Sequence, residues 1–492
     1  MSLILKNVIQ SSQLQIPIWL RSFHVSATLD KCTSGRYRIT KNPNIEGGNR
    51  PCATAVEDEF IRRFMFGTWH NVFVSEVIIK RQHNIIRIAG IIQRNLAARK
   101  LYFLIGYTQE LLSYWLQCPV KMELQSVDSI FTVMSYNVLC DKYATPQMYE
   151  YCPSWALSWD YRKKGIIDEI RYYGADIINL QEVETDQFYN FFLPVLKHEG
   201  YDGIFSPKSR ARTMAENARK HVDGCAIFYK SHKFTLIKEH WVEFNRLAIA
   251  NADGSNHMFN RVMPRDNISL AALLRTTEGA WGERVPTDPS QVEQLILVCT
   301  THIHWDPKFS DVKLIQTMLL SNEIRSILDQ VGQSFRPDCK FDSSNVHLLL
   351  CGDFNSLPDS GVIEFLTSGR VASDHRDFKN LDYKSCLQKI SGSTDNPNEF
   401  THPLKLASAY SEDIMPHTNY TFHFKAIIDY IFYSKQSMVP LGLLGPYNED
   451  WFRYQGVVGC PHPYIPSDHF PLLVELELIP TIGTSNGLIS RR

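Results

Sequence analysis

The stretch Val346–Pro358, V-H-L-L-L-C-G-D-F-N-S-L-P, decides how the larger part of this chain is read. An apolar run of strand length ends at Gly352, and two oxygen-bearing side chains, Asp353 and Asn355, follow at once. Residues two apart in extended chain point to one side. Asp353 and Asn355 are therefore expected to project together from the end of a buried strand, with Phe354 turned the other way. A carboxylate and an amide so placed can hold a hard cation, a water or a phosphate oxygen. The same residues also suit a plain Asx turn, because Gly, Asp, Asn and Pro all form turns. What separates the two readings is whether similar strand ends recur.

They recur between Phe131 and Leu478. Asn137 closes the expected strand Phe131–Val138, Gln181-Glu182 follow Asp176–Leu180, and Asp223-Gly224 precede Cys225–Tyr229. His302-Ile303-His304 end Leu295–Thr301, Asp429 lies in Ile427–Tyr433, and Ser467-Asp468-His469 lead into Pro471–Leu478. Helical patterns alternate with these strands: Arg162–Tyr173, a segment that Thr185 can cap, and a long helix from Ser310 to about Leu328. Ala248–Asn267 and Thr277–Pro289 read as loops. The alternation predicts an α/β fold, a two-sheet sandwich with helices outside and the polar strand ends gathered at one rim. Carboxylates and amides without cysteine suit Mg²⁺ or Mn²⁺ rather than zinc. With two histidines added, phosphodiester hydrolysis by a metal-activated water is the economical chemistry.

A chain of 492 residues has room for two to three domains. No segment approaches the roughly 18 apolar residues of a membrane span, so no membrane association is expected. The net charge of −1 hides an asymmetry: Met1–Val127 carries 16 Lys and Arg against 8 Asp and Glu, and the remainder 35 against 44. The two parts are thus expected to meet different partners. Eleven cysteines, odd in number and without C-x-x-C spacing, point to a reducing compartment. Residues 1–27 carry Lys6, Arg21 and His24 and no acid, the composition of a mitochondrial transit segment. Residues 28–126 read as a small α+β module: a helix over Val56–Phe66, a hairpin of Val72–Arg81 with Ile85–Gln93, a helix over Thr108–Gln117 and a strand at Val120–Leu124. Residues 127–480 hold the α/β domain, and 481–492 are expected to be a flexible tail.

Two resemblances sharpen this reading. In the N-terminal part, V-E-D-E-F-I-R-R-F-M-F-G-T-W, E-V-I-I-K-R-Q-H-N-I-I-R-I-A-G and Y-F-L-I-G-Y-T-Q-E-L-L-S-Y-W-L-Q-C-P-V resemble a mitochondrial small-ribosomal-subunit protein, the counterpart of bacterial S-three. That resemblance implies a structural role against rRNA phosphates. In the remainder, S-Y-N-V-L-C-D-K-Y-A, L-Q-E-V-E, T-H-I-H-W-D-P, C-G-D-F-N-S-L-P-D-S-G-V and P-S-D-H-F-P-L resemble the endonuclease/exonuclease/phosphatase superfamily. Within it they are most similar to the nuclease subunit of the carbon-catabolite-repressor-type deadenylase complex.

That second resemblance implies a Mg²⁺-dependent 3′-exoribonuclease that removes poly(A) and releases adenosine monophosphate, with room for two ions and Mn²⁺ as a substitute. It makes Glu182 the principal metal ligand, with Asn137 and Asp353 beside it. Asp353 is also the implied acid/base at the attacking water. His469, oriented by Asp468, polarises the scissile phosphate, and His302 supports the transition-state charge. Asn355, Asn419, Pro307, Phe424, Glu182 and Asp429 would meet the nucleotide. Lys208, Arg210 and Arg212 lie on a loop that could reach phosphates or simply be solvated. Ala218 and His423 depart from the acidic residues common in the family near the substrate. The leucine-rich repeats through which the family docks its partner nuclease are absent, so contacts with other deadenylase-complex subunits are left open. The nuclease part implies a cytoplasmic or nuclear site of action, and the transit-like segment a mitochondrial one. Two other readings stand beside the deadenylase: a ribosomal structural protein joined to a nuclease domain, if only by a joined gene prediction, and a phosphodiesterase acting on 2′,5′-adenylates.

Overall fold

The computed structural model describes residues 21–25, 52–69, 72–73, 77–82, 84–92, 98–126, 129–281, 292–335, 346–392 and 396–479. Within the transit-like segment only Arg21–Val25 is described, as a strand, and the expected tail over 481–492 lies outside these residues. The chain divides into two compact units. One comprises 131–277 and 294–476 together with the N-terminal 1–25, and the other 26–130 with Glu278–Glu293 and the C-terminal end.

The smaller unit is built from helix Cys52–Thr68, strands Ile78–Gln82 and Ile85–Ile92, helix Ala98–Leu116 and strand Val120–Ser126. The two first strands pair antiparallel as the turn residues predicted, and Val120–Ser126 then joins Ile85–Ile92 in parallel. A parallel partner needs a crossover, and Ala98–Leu116 supplies it. Of the expected strand Val72–Arg81, Ile78–Arg81 is strand, Phe73 makes an isolated bridge to Ile92, and residues 74–76 lie outside the described residues. Ile61, Met65, Trp69, Ile86, Ile88 and Leu112 form the core, and the Trp69 indole N–H donates to Thr108 Oγ1 at 2.9 Å.

The larger unit is the expected two-sheet α/β sandwich. Across the seven-stranded sheet the order is Arg21–Val25, Met438–Tyr447, Leu472–Leu478, Ser129–Asn137, Ile177–Glu184, Asp223–Lys230 and Tyr201–Pro207. Across the six-stranded sheet it is Leu406–Ser408, Asp429–Ser434, His347–Asp353, Leu295–His302, Ile268–Thr276 and Phe234–Glu243. Alternate residues of each strand face opposite ways, and here both faces are buried. On the outer face of the six-stranded sheet Leu297, Cys299, Leu348 and Leu350 pack with Leu314, Ile315, Met318 and Leu319 of helix Ser310–Phe335. On the outer face of the seven-stranded sheet Met134, Tyr136, Ile178 and Leu180 pack with Ile166 and Ile170 of helix Trp159–Tyr173. Between the sheets a polar pair is satisfied across the gap, the Gln181 amide donating to Thr300 Oγ1 at 2.9 Å.

Some expectations are corrected. Ala248–Asn267 is not all loop: helix Phe244–Ala250 and a wide helical turn at Met258–Val262 bury Phe244, Ala248, Met258 and Val262. Thr185 is the first helical residue rather than the cap; the Glu184 side chain and Gln187 form a reciprocal capping box. Ser310 likewise lies inside its helix, which runs on to Phe335.

Candidate active site

Three strands of the six-stranded sheet finish side by side. His302 pairs with Asp353 in the parallel ladder of Leu295–His302 and His347–Asp353. Asp353 pairs with Asp429 in the antiparallel ladder on its other side. Gly352 permits this closeness. Its φ is +139°, and a Cβ there would lie 2.1 Å from the Thr301 carbonyl oxygen, so no other residue fits. Phe354 turns the other way into the core, as the alternation predicts. Asn355 does not stay extended: its φ is +48°, its N–H donates to Asp353 Oδ1 at 2.9 Å, and its side chain donates to the Ile303 carbonyl at 3.0 Å. The two side chains therefore do not project as a pair, because the chain turns between them.

His469 enters from the loop before Leu472–Leu478. Its Nδ1 lies 2.8 Å from Asp429 Oδ2, which leaves Nε2 facing Asp353 Oδ2 at 3.8 Å. This corrects the role expected of Asp468. The Asp468 carboxylate accepts from the Tyr149 hydroxyl at 2.8 Å and the Asn419 amide at 3.3 Å, and acts on the imidazole through its charge. The residue orienting His469 is Asp429, read from sequence as a substrate contact. One ligand atom each from Asp353, Asp429 and His469 lie within 4.8 Å of one another.

The seven-stranded sheet brings its own residues to the same place. Asn137, the last residue of Ser129–Asn137, donates from Nδ2 to Asp353 Oδ2 at 3.1 Å and to Glu182 Oε1 at 3.2 Å. Glu182 is not at a strand end. It occupies a bulge within Ile177–Glu184, where the pairing with Asp223–Lys230 shifts register, and has a φ of +60°. A bulge re-aims one side chain out of the pleat. Here it sends a carboxylate to the rim, where Glu182 Oε2 accepts the Cys140 N–H at 2.9 Å. His302 Nε2 stands 3.7 Å from Asp353 Oδ2 and 3.9 Å from Glu182 Oε1. The expected set Asn137, Glu182, His302, Asp353, Asp429 and His469 is thus brought together within one unit.

The electrostatics follow from burial and from the neighbouring charges. Burial, then the neighbouring Asp429, pushes the Asp353 carboxyl up to about 7. Burial and Asp223 also raise Glu182, with Lys208 opposing. Burial works against a charged His469, but Asp429, Asp468 and Asp353 outweigh it and hold its pKa well above the usual imidazole range. His302 is held well below that range by burial and by Lys208. Two carboxylates that resist ionisation side by side, with an amide steering both, are the donor set a hard divalent cation would relieve.

The remaining expectations divide. Asn419 is buried and bridged to His469, with its amide on Asp468. Phe424 is 44 % exposed in a tight turn closed by Thr421, and Pro307 is exposed at the start of a short turn capped by Asp306. The basic residues are already engaged. Lys208 and Arg210 hold Asp223 at 2.7 and 2.6 Å, Arg210 also holds Asp266, and Arg212 holds Glu243 at 2.5 Å. Lys208 and Arg210 thereby brace Asp223, whose charge reaches Glu182 and His302. Ala218 and His423 are exposed. Sequence reading missed Tyr149, which holds Asp468, and Lys313, whose ammonium donates to the Asn355 carbonyl at 2.6 Å. It also missed the buried Arg162, which donates to the carbonyls of Val138, Leu139, Leu157 and Pro466. Only W-D-Y-R at a helix start could have hinted at Arg162.

A fold of two sheets with a His–Asp pair and buried carboxylates at one rim defines a class. Residues 134–469 match the endonuclease/exonuclease/phosphatase family, and the chain belongs to it. Residues 33–136 match the family described as mitochondrial ribosome subunit S24. Among curated proteins the chain is 52 % identical over 364 residues to the CCR4-NOT transcription complex subunit 6-like of Danio rerio, covering 73 % of this chain and 65 % of that one. It is 54 % identical over 369 residues to subunit 6-like-B of Xenopus laevis, covering 74 % and 67 %. The CCR4-Not complex 3′-5′-exoribonuclease subunit Ccr4 of Mycosarcoma maydis is 41 % identical over 361 residues, covering 71 % and 50 %. The chain therefore spans about two thirds of the vertebrate relatives' length and half of the fungal one's. Among solved structures, ANGEL2, a 2′,3′-cyclic phosphatase, superposes with a TM-score of 0.55 at 26 % identity, over 71 % of this chain and 96 % of that one. Among the described residues no helix is long and apolar enough to cross a membrane.

Proposed function

We propose that residues 127–480 form a Mg²⁺-dependent 3′-exoribonuclease that shortens poly(A) and releases adenosine monophosphate. The observation that carries this reading is the convergence of Asn137, Glu182, His302, Asp353, Asp429 and His469 at one rim. The similarity to subunits named as 3′-5′-exoribonucleases supports the substrate class. Glu182 and Asp353, steered by the Asn137 amide, would hold the ion. When bound, Mg²⁺ supplies Lewis-acid polarisation of a phosphoryl oxygen and lowers the pKa of a water.

The protein's own groups do the rest. Asp353 takes the proton from the attacking water as the P–O3′ bond to the penultimate nucleotide breaks, and the departing oxygen takes up a proton from solvent. His469, kept charged by Asp429, donates to a non-bridging phosphate oxygen and stabilises the negative charge that develops there. His302 stays neutral and donates a hydrogen bond to the same centre. Phe424 and Pro307 flank the terminal base. Stacking tolerates every base, so adenine preference needs an amide, Asn419 or Asn355, reading a base edge. Residues 28–126 would meet rRNA, residues 1–27 would direct the chain to mitochondria, and the nuclease itself would act in cytoplasm or nucleus beside other deadenylase-complex subunits.

The test is single-turnover trimming of one RNA carrying 3′ tails of A, U or C, with Mg²⁺ or EDTA. Mg²⁺-dependent shortening of the A tail alone is expected. Equal trimming of all three would leave a general 3′-exonuclease. No trimming, with turnover of a 2′,5′-adenylate, would overturn the reading.

A further inference from the structure

Beside the catalytic rim lies a group of side chains that the chemistry above does not use. In the antiparallel ladder Ser269 pairs with Thr301, so the residues just before Ile268 run alongside those just after His302. This places Arg265 next to His304 and Trp305. Phe309 links them: the Arg265 guanidinium lies 4.1 Å over its ring, and the His304 ring meets it edge-on at 5.4 Å.

The charges around this ring are unequally satisfied. Arg261, also over Phe309, makes a two-pronged pair with Asp311, its Nε and one terminal nitrogen donating at 2.7 and 2.8 Å. Asp266, the nearest acid in sequence, is taken by Arg210. Asp306 accepts the Lys308 N–H on Oδ1, and its charge acts on His304. Among the described residues Arg265 has no ion pair, and its buried Nε has no hydrogen-bond partner. His304 is only 6 % exposed, yet its Nε2 has none either. Its backbone is pinned, the N–H donating to Gln316 Oε1 at 3.0 Å. The next residue, Trp305, is 68 % exposed, an indole held in water on a fixed loop two residues before Pro307. A free guanidinium, an unsatisfied imidazole and a bare aromatic face match the parts of one nucleotide: an anionic phosphodiester and a stackable base.

We infer that Arg265, His304 and Trp305 form a second nucleotide subsite, in which Arg265 and His304 hold an upstream phosphodiester of a single-stranded tail and Trp305 stacks its base. The inference rests on the proposed action on a 3′ tail and extends it past the terminal nucleotide. These residues touch substrate away from the reacting atoms, so they govern tail affinity rather than the cleavage step.

Binding is measured on the intact chain by anisotropy of a fluorescein-labelled oligodeoxyadenylate of about 15 nucleotides, without metal, across a salt series. Each phosphate contact to a single strand contributes about 0.7 to the slope of log Kd against log salt. Arg265→Met keeps the stem on Phe309 and is expected to lower that slope by about 0.7; Arg265→Lys is expected to keep it. Trp305→Ala is expected to weaken binding about 5-fold or more at an unchanged slope, with Trp305→Phe recovering most of the loss. In turnover, Arg265→Met and Trp305→Ala should raise KM for an adenylate tail and leave kcat within about twofold. The p-nitrophenyl ester of adenosine monophosphate has no upstream nucleotide and should be cleaved at the wild-type KM by both variants. An unchanged salt slope in Arg265→Met, or equal losses on tail and ester, would overturn the subsite. Wild-type protein that trims no tail would instead overturn the proposed function, and the binding slope would still decide the subsite.

Discussion

Asp429→Asn tests the core of the site with the least disturbance. The substitution keeps size and planarity at a position only 3 % exposed, and removes the charge that faces His469 Nδ1 at 2.8 Å. A hydrogen bond to a charged group contributes about 1.5–3 kcal/mol. If that bond holds the imidazolium for the transition state, its loss costs about 10- to 150-fold in kcat, with KM little changed. The assay is single-turnover trimming of an adenylate tail at saturating Mg²⁺ and pH 7, alongside far-UV circular dichroism to confirm the fold. Proton NMR adds a check that does not depend on activity. The His469 Nδ1 proton, shared with a buried carboxylate, should resonate far downfield, vanish in Asp429→Asn and survive in Asp468→Asn. Asp429→Asn with wild-type kcat, or loss of that proton in Asp468→Asn alone, would refute the assignment of Asp429 as the orienting residue.

Glu182→Gln keeps the shape at the bulge and loses the charge. Mg²⁺-dependent cleavage should fall by at least about 100-fold with the thermal midpoint nearly unchanged, and retained turnover would exclude Glu182 as the essential ligand. Gly352→Ala would set a methyl 2.1 Å from the Thr301 carbonyl at a φ of +139°; urea melts should show a loss of about 3 kcal/mol or more. The folded chain binds the Asp353 proton more tightly than the unfolded chain, its pKa rising from 3.8 to about 7. Metal-free wild type should therefore lose stability relative to Asp353→Asn as pH rises from about 4 to about 7, and Mg²⁺ should shrink the difference. Parallel melts of the two proteins across that range check the sign.

What the residues announced and what they concealed follow one physical line. Buried strands such as V-H-L-L-L-C-G-D announce themselves by composition, and Phe354 fell where alternation put it. Strands carrying mixed polar residues did not: Phe234–Glu243, F-T-L-I-K-E-H-W-V-E, lies at the edge of its sheet, where one flank meets no neighbouring strand among the described residues. The residue types at the rim were legible because each is costly to bury without purpose. Their pairings were not. Nothing local distinguishes Asp429 from Asp468 as the partner of His469; that depends on two strands placing Asp353 and Asp429 opposite each other. The bulge at Glu182 and the turn at Asn355 were equally silent, because both depend on left-handed backbone at residues that other contexts would leave extended.

The order of strands has a consequence for the making of the protein. Leu472–Leu478, the last described strand, lies inside the seven-stranded sheet, between Met438–Tyr447 and Ser129–Asn137. His469 arrives with it, and the Ser467 hydroxyl closes onto the Asn137 carbonyl at 2.7 Å. A chain emerging from the ribosome thus carries Asn137 and Glu182 for most of its synthesis, and Asp353 for the last part of it, without the strand that completes the seven-stranded sheet or the imidazole that joins them at the rim. The sheet and the rim are thus completed together in one late step, once this strand is free to insert.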